Sequence, residues 1–400
     1  MKRNGKLAEK VKIIHFHNGT GGGVLSVIRN LLLYKQHAEI ENHIIYTINQ
    51  DQIRNFTSPG LMGSASEQVF YYSPKWNFYY TCKQLAKLLP DDKAVIIAHD
   101  WLELGMISHL GMKNPVVQVL HGDFEYYYNL AKLHCENVDK FICVSKVIAE
   151  KLKEILPAYS DNIQSMRFPV PDVITNGPDF GDIHCAYFVR DLTEERKQFH
   201  LLPLINQLLI KRGVEVKWFL AGAGMDETSV KKAFGGDHRT IYYSGHLDTN
   251  GINEMLAGCN VMILPSLKEG FPVAVVEAMK WGLVPLVTNW EGATEDLIIE
   301  NQTGFLFKPG DVEGYAEKIA FLFNDRQVLK KMSEAAKDKA NDLFNPQQNT
   351  LAYENSFMSA ASCIKRNIVK KKVYGSRLDQ IWLPNMYVKF LRLLKNRFLK

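Results

Sequence analysis

The chain has 400 residues, of which 46% are hydrophobic and 23% are charged. This composition is typical of a globular protein and excludes disordered and fibrous chains. The length exceeds what one hydrophobic core usually fills, which predicts two domains. No run approaches the ~18 consecutive apolar residues of a membrane span. The first ten residues lack the apolar segment of a signal peptide, so we expect a cytoplasmic protein.

The cysteine and charge patterns narrow the class of protein further. The six cysteines are scattered, which argues against a zinc site or a disulfide framework and fits a reducing compartment. The net charge of +5 is unevenly distributed: residues 365–400 hold 11 Lys/Arg against the single acidic Asp379. That segment therefore carries +10 and the rest of the chain −5. Because the basicity belongs to the tail, we expect no nucleic-acid partner.

Short β-branched and aromatic runs alternate with helical patterns along the chain. Runs such as residues 94–98 are apolar at successive positions, as in strands buried on both faces of a parallel sheet. Helical patterns, for example at 24–34 and 147–155, supply the crossovers, so the sequence predicts a doubly wound α/β fold. The predicted strands are 11–17, 43–48, 68–72, 94–99, 116–120, 140–144, 183–189, 215–220, 240–243, 260–264, 285–288 and 304–307.

A cluster of prolines and glycines between residues 168 and 181 is typical of an interdomain linker. We therefore predict one Rossmann-like domain over residues 1–175, a second over 182–345, and C-terminal helices with a basic tail over 346–400. Ligands are expected at the carboxyl ends of the strands in each sheet. Two such sheets facing one another would hold a ligand in a cleft.

The most informative segment is residues 264–282, which predicts a buried strand, a loop and a short helix. Pro272 suits the first helical position and Gly282 the residue just past the helix end. Glu269 lies in the loop and Glu277 about two turns into the helix, where carboxylates can accept hydrogen bonds from sugar and ribose hydroxyls. Solvated surface charge is the alternative, but the apolar neighbours of Glu277 indicate that it needs partners. The amides predicted to point out of the helix N-terminus are those of Gly270, Phe271 and Val273.

This segment resembles the retaining glycosyltransferases of family 4, which have the two-domain GT-B fold. Two glutamates eight residues apart match the E-x7-E signature of that family, with Pro-Ser before them and Glu-Ala-Met around the second. The resemblance implies that Glu269 contacts the donor sugar and Glu277 the ribose of the nucleotide. It also implies that the surrounding residues Gly270, Phe271, Pro272 and Val273 line the donor site.

Two histidines follow buried strands in the predicted N-terminal domain. His121, followed by Gly122, resembles the histidine with which the family approaches the donor sugar. A lone histidine at a strand end is otherwise more often structural. For His99 two interpretations stay open: it faces the acceptor, or it caps the strand with a buried hydrogen bond.

A glycine-rich loop stands between the first strand and the first helix. Bare backbone at this position can cradle phosphate or allow a sugar to approach closely. A dinucleotide-binding loop is the competing interpretation, but its G-x-G-x-x-G spacing requires glycine at Val24. The loop resembles the N-terminal glycine loop of the family, which assigns Gly21, Gly22 and Gly23 to the donor or acceptor cleft.

In the second half, residues 188–197 resemble the family's Gly-Arg-Leu…Lys segment, whose arginine and lysine neutralise the leaving diphosphate. The resemblance assigns these roles to Arg190 and Lys197. The glycine before the arginine is absent and the spacing is longer than usual, so Arg196 stays open as the second cation. A solvated, charged helix start is the competing interpretation. Residues 244–247 resemble a nucleotide-side loop, which places the main chain of His246 and Leu247 against the base.

No Asp-x-Asp triplet follows a strand, so we expect no metal, with cationic side chains and helix termini stabilising the leaving diphosphate. No separate cofactor is expected. The resemblance implies a retaining glycosyltransferase that moves a sugar from a nucleotide-sugar donor to a saccharide or lipid-linked acceptor, as in bacterial surface polysaccharide or lipopolysaccharide synthesis. The alternatives are a GT-B-fold epimerase or phosphorylase and a non-catalytic nucleotide-sugar-binding protein.

The tail from Trp382 to Lys400 predicts an amphipathic helix with a cationic face. Such a helix can lie on an anionic membrane surface, which would give the protein a peripheral position at the inner face of the membrane. The alternative is the C-terminal helix that packs back across the N-terminal domain in GT-B folds. Both interpretations stay open.

Overall fold

The computed structural model describes residues 10–20, 22–91, 93–175, 177–236, 239–290, 294, 296–363 and 368–398. The chain divides into two compact units, one formed by Met1–Pro169 with Gln347–Lys400 and the other by Val170–Pro346. The predicted boundary lies at residue 175, but Val170 is already bonded within the second unit. Its amide donates to the carbonyl of Phe344 (3.3 Å), and its own carbonyl accepts from Lys280 Nζ (2.9 Å).

Strands and helices alternate through much of the described chain, which ends in four consecutive helices. The strands are β1 Val11–His17, β2 Ile40–Asn49, β3 Ser66–Tyr72, β4 Val95–Ala98, β5 Val116–Leu120, β6 Lys140–Cys143, β7 Ile163–Ser165, β8 Ile183–Asp191, β9 Val216–Ala223, β10 Ile241–Tyr243, β11 Val261–Leu264, β12 Val284–Thr288 and β13 Phe305–Phe307. The helices are α1 Gly23–Leu33, α2 Phe78–Ala86, α3 Trp101–Leu110, α4 Glu125–His134, α5 Lys146–Ile155, α6 Leu201–Lys211, α7 Glu227–Ala233, α8 Thr249–Ala257, α9 Val273–Lys280, α10 Val312–Asn324, α11 Arg326–Leu343, α12 Pro346–Ala361 and α13 Asn385–Phe398.

Each unit is built on one parallel sheet, which confirms the predicted doubly wound α/β class. The first sheet has seven strands in the order β3-β2-β1-β4-β5-β6-β7, and the second has six in the order β10-β9-β8-β11-β12-β13. The central strands β4, β5, β11 and β12 are buried throughout, as their continuous apolar runs predict. All twelve predicted strands are present within a few residues of their predicted bounds.

The strand order defines one switch point in each sheet. In the first sheet β2 and β3 lie on one side of β1, and β4 to β7 lie on the other. In the second sheet the order reverses between β8 and β11 in the same way. Doubly wound sheets bind ligands where the loops after such strands diverge, at the carboxyl edge. A ligand site is therefore expected at the loops after β1, β4, β8 and β11.

The C-terminal segment packs on the first unit, so the packing interpretation of the tail is correct for the described residues. Asn137 bonds Val369 in both directions, and the amides of Val373 and Tyr374 both donate to His109 Nε2 (2.9 Å). The ring of Tyr374 packs edge-on against Trp101. None of the helices in the described ranges has the length and apolarity needed to cross a membrane.

Candidate functional site

In the second unit, the loops after β8 and β11 are joined by their backbones. The amide of Leu267 donates to the carbonyl of Arg196 (2.8 Å), which lies in a 3₁₀ turn over Glu195–Lys197. The buried Tyr187 on β8 donates its hydroxyl to the carbonyl of Lys197 (3.0 Å). The 3₁₀ turn is thereby held against the loop that carries Glu269.

Glu269 is the centre of an ion cluster at this switch point. Glu269 is only 9% exposed, and its carboxylate accepts from Lys197 Nζ (2.6 Å) and from the Arg196 guanidinium (2.9 Å). Arg196 also donates to Glu194 (2.7 Å) and to the carbonyl of Lys268 (2.7 Å). Although burial opposes its charge, the ion pairs with Glu269 and Glu194 raise the pKa of Arg196 above its ordinary value. Two cations are therefore held together beside a buried carboxylate.

The structure brings two of the three candidate cations together. Lys197 and Arg196 both contact Glu269, whereas Arg190 is exposed at the end of β8 and lies outside the cluster. The 3₁₀ turn explains the difference, because it points consecutive side chains at the same carboxylate. Sequence spacing alone could not show this turn.

The α9 terminus differs in detail from its prediction. Pro272 is the cap residue rather than the first helical residue, and the amide of Val273 donates to the carbonyl of Phe271 (3.0 Å). The expectation of an unused Val273 amide is therefore wrong, because a tight turn occupies it. At the other end Gly282 has φ +85° and its amide donates to Met279, as predicted for the residue past the helix.

Glu277 lies on α9, half-buried between the buried Val276 and Ala278. The same helix ends in Lys280, which is completely buried and which sequence reasoning did not single out. Its ammonium donates to the carbonyls of Val170 (2.9 Å) and Phe344 (3.1 Å) and to Asp172. The sequence signal for this contact is a lysine at the end of a short helix whose other residues, apart from Glu277, are apolar.

The predicted nucleotide-side loop follows β10. His246 is exposed and Leu247 is half-buried, so the backbone of this loop is accessible. The neighbouring loop after β9 is tied to it, because the amide of Gly222 donates to the carbonyl of Gly245 (2.7 Å). Gly224 has φ +92°, and a Cβ there would collide with Asp191, so glycine allows the loop after β9 to lie against the end of β8.

In the first unit, three histidines stand at the carboxyl ends of three adjacent strands. His17 ends β1, His99 follows β4 and His121 follows β5. His99 Nδ1 lies 2.7 Å from His121 Nε2, and the ring of His15 stacks on that of His99 at 6.0 Å. His15 and His17 were not singled out, although their alternation with Ile14 and Phe16 at a strand end is visible in the sequence.

These histidines are neutral at neutral pH. Burial lowers the pKa of His121 to about 3 and that of His17 to about 4. Burial and the neighbouring histidines lower the pKa of His99 well below its ordinary range. In the His99–His121 hydrogen bond one neutral ring must donate and the other accept. His121 is therefore a neutral hydrogen-bonding group rather than a cation.

The glycine loop ends at the same edge of the first sheet. Helix α1 begins at Gly23 after Gly22, whose φ of +121° favours glycine, and no side chain caps the helix start. The amide of Gly19 donates to His17 Nδ1 (3.1 Å), which ties the loop to the end of β1. Gly21 lies outside the described residues. Among the described residues, no group of three or more His, Cys, Asp or Glu side chains is placed to hold a metal ion.

Comparisons with known proteins cover the region that contains the Glu269 cluster. Residues 181–339, which hold the Glu269 cluster, match the family model described as glycosyl transferases group 1. The chain is 32% identical to the sulfoquinovosyl transferase of Arabidopsis thaliana over 40% of its own length and 31% of that protein. It is 26% identical to an N,N'-diacetylbacillosaminyl-diphospho-undecaprenol α-1,3-N-acetylgalactosaminyltransferase of Campylobacter jejuni, over 53% of this chain and 52% of that one. The matched part of the chain thus spans about a third of the Arabidopsis thaliana protein and about half of the Campylobacter jejuni protein.

The fold has solved counterparts. The pneumococcal O-GlcNAc transferase crystallised with UDP and GlcNAc superimposes with a TM-score of 0.70 at 12% identity, over 88% of this chain and all of that one. This likeness, with the two parallel sheets, shows the GT-B fold of two Rossmann-like domains. The family match covers residues 181–339, about two fifths of the chain, and both relatives are named as transferases.

Proposed function

We propose that this protein is a retaining glycosyltransferase of family 4. It transfers a sugar from a nucleotide-sugar donor to a saccharide or lipid-linked acceptor and needs neither a metal ion nor a separate cofactor. The observation that carries the proposal is the Glu269 carboxylate held between Lys197 and Arg196 at the switch point of the second sheet. This cluster lies in the region that matches the family model.

The residues of the cluster suit the charges that develop in sugar transfer. When the bond between the anomeric carbon and the diphosphate breaks, negative charge grows on the diphosphate, and cations beside it stabilise that charge. Lys197 and Arg196 would supply them, with the exposed Arg190 as a further candidate. The acceptor hydroxyl forms the new bond to the anomeric carbon and passes its proton to the departing diphosphate oxygen. Glu269 binds hydroxyls of the donor sugar.

The cluster is electrically balanced as it stands. Lys197 and Arg196 are matched by Glu269 and Glu194, so a bound diphosphate must compete with these carboxylates for the two cations. Hydroxyl groups of the sugar can take the place of a cation at Glu269, because a carboxylate accepts several hydrogen bonds. Glu277 is assigned to the ribose, and the backbone near His246 and Leu247 to the base.

In the first unit, we assign a substrate-binding role to His121. His121 is neutral and bonded through Nε2 to His99, so it can offer Nδ1 to a substrate hydroxyl as donor or acceptor. Together with the backbone of Gly22 and Gly23, this edge suits polar, hydroxyl-rich ligands. His121 is proposed to contact the donor sugar, as its resemblance to the family implies.

We further propose that the transfer serves bacterial surface polysaccharide or lipopolysaccharide synthesis, at the cytoplasmic face of the membrane. The Campylobacter jejuni relative, whose name gives a diphospho-undecaprenol substrate, supports a lipid-linked acceptor. Cell fractionation followed by analysis of surface glycans in a deletion strain would test this location and role. Unchanged surface glycans would contradict it.

The experiment that tests the activity is a panel of nucleotide sugars incubated with the purified chain. We expect thermal stabilisation by one class of nucleoside diphosphate, since a bound ligand raises stability by mass action. We also expect transfer of the matching sugar with its anomeric configuration retained, read by NMR coupling constants. Interconversion of the free donor would instead indicate an epimerase, phosphorolysis of a glycoside a phosphorylase, and binding without turnover a non-catalytic protein.

A further inference from the structure

Helix α13 turns mostly polar side chains toward the protein and apolar side chains toward solvent, the reverse of an ordinary surface helix. Asn385, Val388 and Arg392, three to four residues apart, form the side that faces the first unit. Asn385 accepts from the amide of Asn77 (2.8 Å), Val388 is completely buried, and Arg392 donates to Asp379 (2.5 Å). The helix is therefore held to the protein mainly by polar side chains.

The opposite side of α13 presents apolar side chains to solvent. Trp382, which precedes the helix, is 75% exposed, Met386 is 74% exposed and Phe390 is 58% exposed. The positions 386, 390 and 393 follow one helical stripe. A contiguous apolar surface of this kind on a folded protein marks an interaction site more often than scattered single residues do. The exposed residues of this surface, which we call the outer face, are Ile381, Trp382, Met386, Tyr387, Phe390, Leu391 and Leu393.

The charged residues of α13 itself are all Lys or Arg. Residues 365–400 hold 11 Lys/Arg and one acidic residue, Asp379. Asp379 is buried and its carboxylate is bonded to Arg392, so its charge does not oppose an approaching anionic surface. Lys395 is exposed on the helix, and Lys389 lies over the ring of Trp76 at 4.6 Å. An apolar face flanked by cations complements an anionic lipid interface.

The segment before α13 holds the helix in place. Asn77 donates its side-chain amide to the carbonyls of Gln380 (2.8 Å) and Leu383 (2.7 Å). The amide of Phe78 donates to Asp379 (2.6 Å). The outer face is thus displayed on an element that is already folded, so binding need not order its backbone.

We propose that the outer face of 381–393 is a preformed docking surface for an anionic lipid bilayer. The aromatic and aliphatic side chains enter the boundary between head groups and acyl chains, while the lysines contact anionic head groups. A lipid surface fits better than a protein because an apolar stripe among cations matches the two layers of the bilayer interface. This surface shares no residue with the Glu269 cluster, so its test does not depend on the proposed transfer reaction.

The test is sedimentation of the full chain with vesicles, without any sugar donor. Wild type should bind vesicles of phosphatidylcholine with phosphatidylglycerol at low salt, and high salt or omission of the anionic lipid should weaken binding. The double variant Trp382→Ser/Phe390→Ser should bind at least about tenfold more weakly. The matched variant Met62→Ser/Ile210→Ser also removes two exposed apolar residues, and it should bind like wild type.

Three outcomes would overturn the proposal. If the wild type does not bind anionic vesicles at low salt, the outer face is not a lipid-docking surface. Self-association that the double variant abolishes, in a protein that does not bind vesicles, assigns the outer face to a second copy. A gain of helix in the circular dichroism spectrum on adding vesicles contradicts a preformed surface, because the docked helix should change little. Circular dichroism of the double variant alone verifies that it remains folded.

Discussion

Lys197 Nζ lies 2.6 Å from Glu269 Oε1, which joins the turn after β8 to the loop after β11. If Lys197 stabilises the leaving diphosphate, Lys197→Met should lower kcat about 100-fold or more, as loss of one preorganised charge-stabilising donor typically does. Arg190→Met tests the exposed candidate at the end of β8 in the same assay. Arg212→Met is the control, since Arg212 forms an exposed ion pair with Glu313 elsewhere in the unit. If Lys197→Met and the control have the same kcat, Lys197 does not stabilise the leaving diphosphate.

The two glutamates should separate binding from turnover. We expect Glu277→Gln to weaken nucleoside diphosphate binding by about 1.5–3 kcal/mol, because a charged hydrogen-bond acceptor for the ribose is lost. Glu269→Gln should leave nucleotide binding closer to wild type and mainly lower kcat. Calorimetric titration and steady-state kinetics measure the two effects. Wild-type values for both variants would show that the glutamates are ordinary helix and loop charges.

The buried histidines should make the protein sensitive to acid. Burial lowers the pKa of His15 and His17 to about 4, whereas in the unfolded chain they titrate near the ordinary value of 6.5. The unfolded state therefore binds more protons between these values, and stability present above pH 6.5 is lost as the pH falls toward 4. Each such histidine contributes about 1.4 kcal/mol per pH unit. Burial raises the pKa of Glu103 to about 8 and also raises that of Glu354, and both act in the opposite direction. The described histidines whose pKa burial lowers outnumber these two carboxyl groups.

Urea unfolding across this pH range measures the effect. His17→Gln should flatten the pH dependence by up to one proton, whereas His246→Gln, at an exposed position, should leave it unchanged. A free energy of unfolding that stays constant or rises on going from pH 6.5 to 5 would contradict the neutral state of these histidines.

Lys280→Met should destabilise the fold by about 2 kcal/mol or more. Methionine has a similar length but cannot donate, so the carbonyls of Val170 and Phe344 would lose their buried partner. Lys211→Met, at an exposed position on α6, is the matched control. Thermal unfolding should show a lower Tm for the first variant alone; an unchanged Tm would mean that the buried ammonium contributes no net stability.

Chelation should leave sugar transfer largely intact. The reason is chemical: Lys197 and Arg196 are both beside the carboxylate assigned to the sugar and can neutralise a diphosphate. Initial rates with and without EDTA measure this. A loss of activity in EDTA that manganese or magnesium restores would show that a cation from solution is required.

The fold was largely readable from the sequence because buried parallel strands carry continuous apolar runs. Strand β1 has its predicted bounds, and β5 likewise. Strand β7 was missed because its three residues, Ile163–Ser165, are too few to show a period. The helix α13 was predicted, but its orientation was not. Its polar side faces inward because Asn77 and Asp379 offer partners there, which requires tertiary structure.

The candidate site was readable in part. Glu269 and Lys197 were identified through their motifs, and the structure places them in contact. Arg196 takes part because of the 3₁₀ turn, and a turn of three residues has no recognisable sequence pattern. Lys280 was not identified because its acceptors, two backbone carbonyls and Asp172, lie 64 to 110 residues away along the chain.

The most direct test of the account is to follow a nucleotide sugar and its products by NMR, with wild type and with Lys197→Met. We expect wild type to release nucleoside diphosphate in step with a new glycoside that retains the anomeric configuration of the donor. Lys197→Met should fold normally and release it about 100-fold more slowly. A donor that is left unchanged or merely epimerised by wild type, or turnover that the substitution does not affect, would contradict the account.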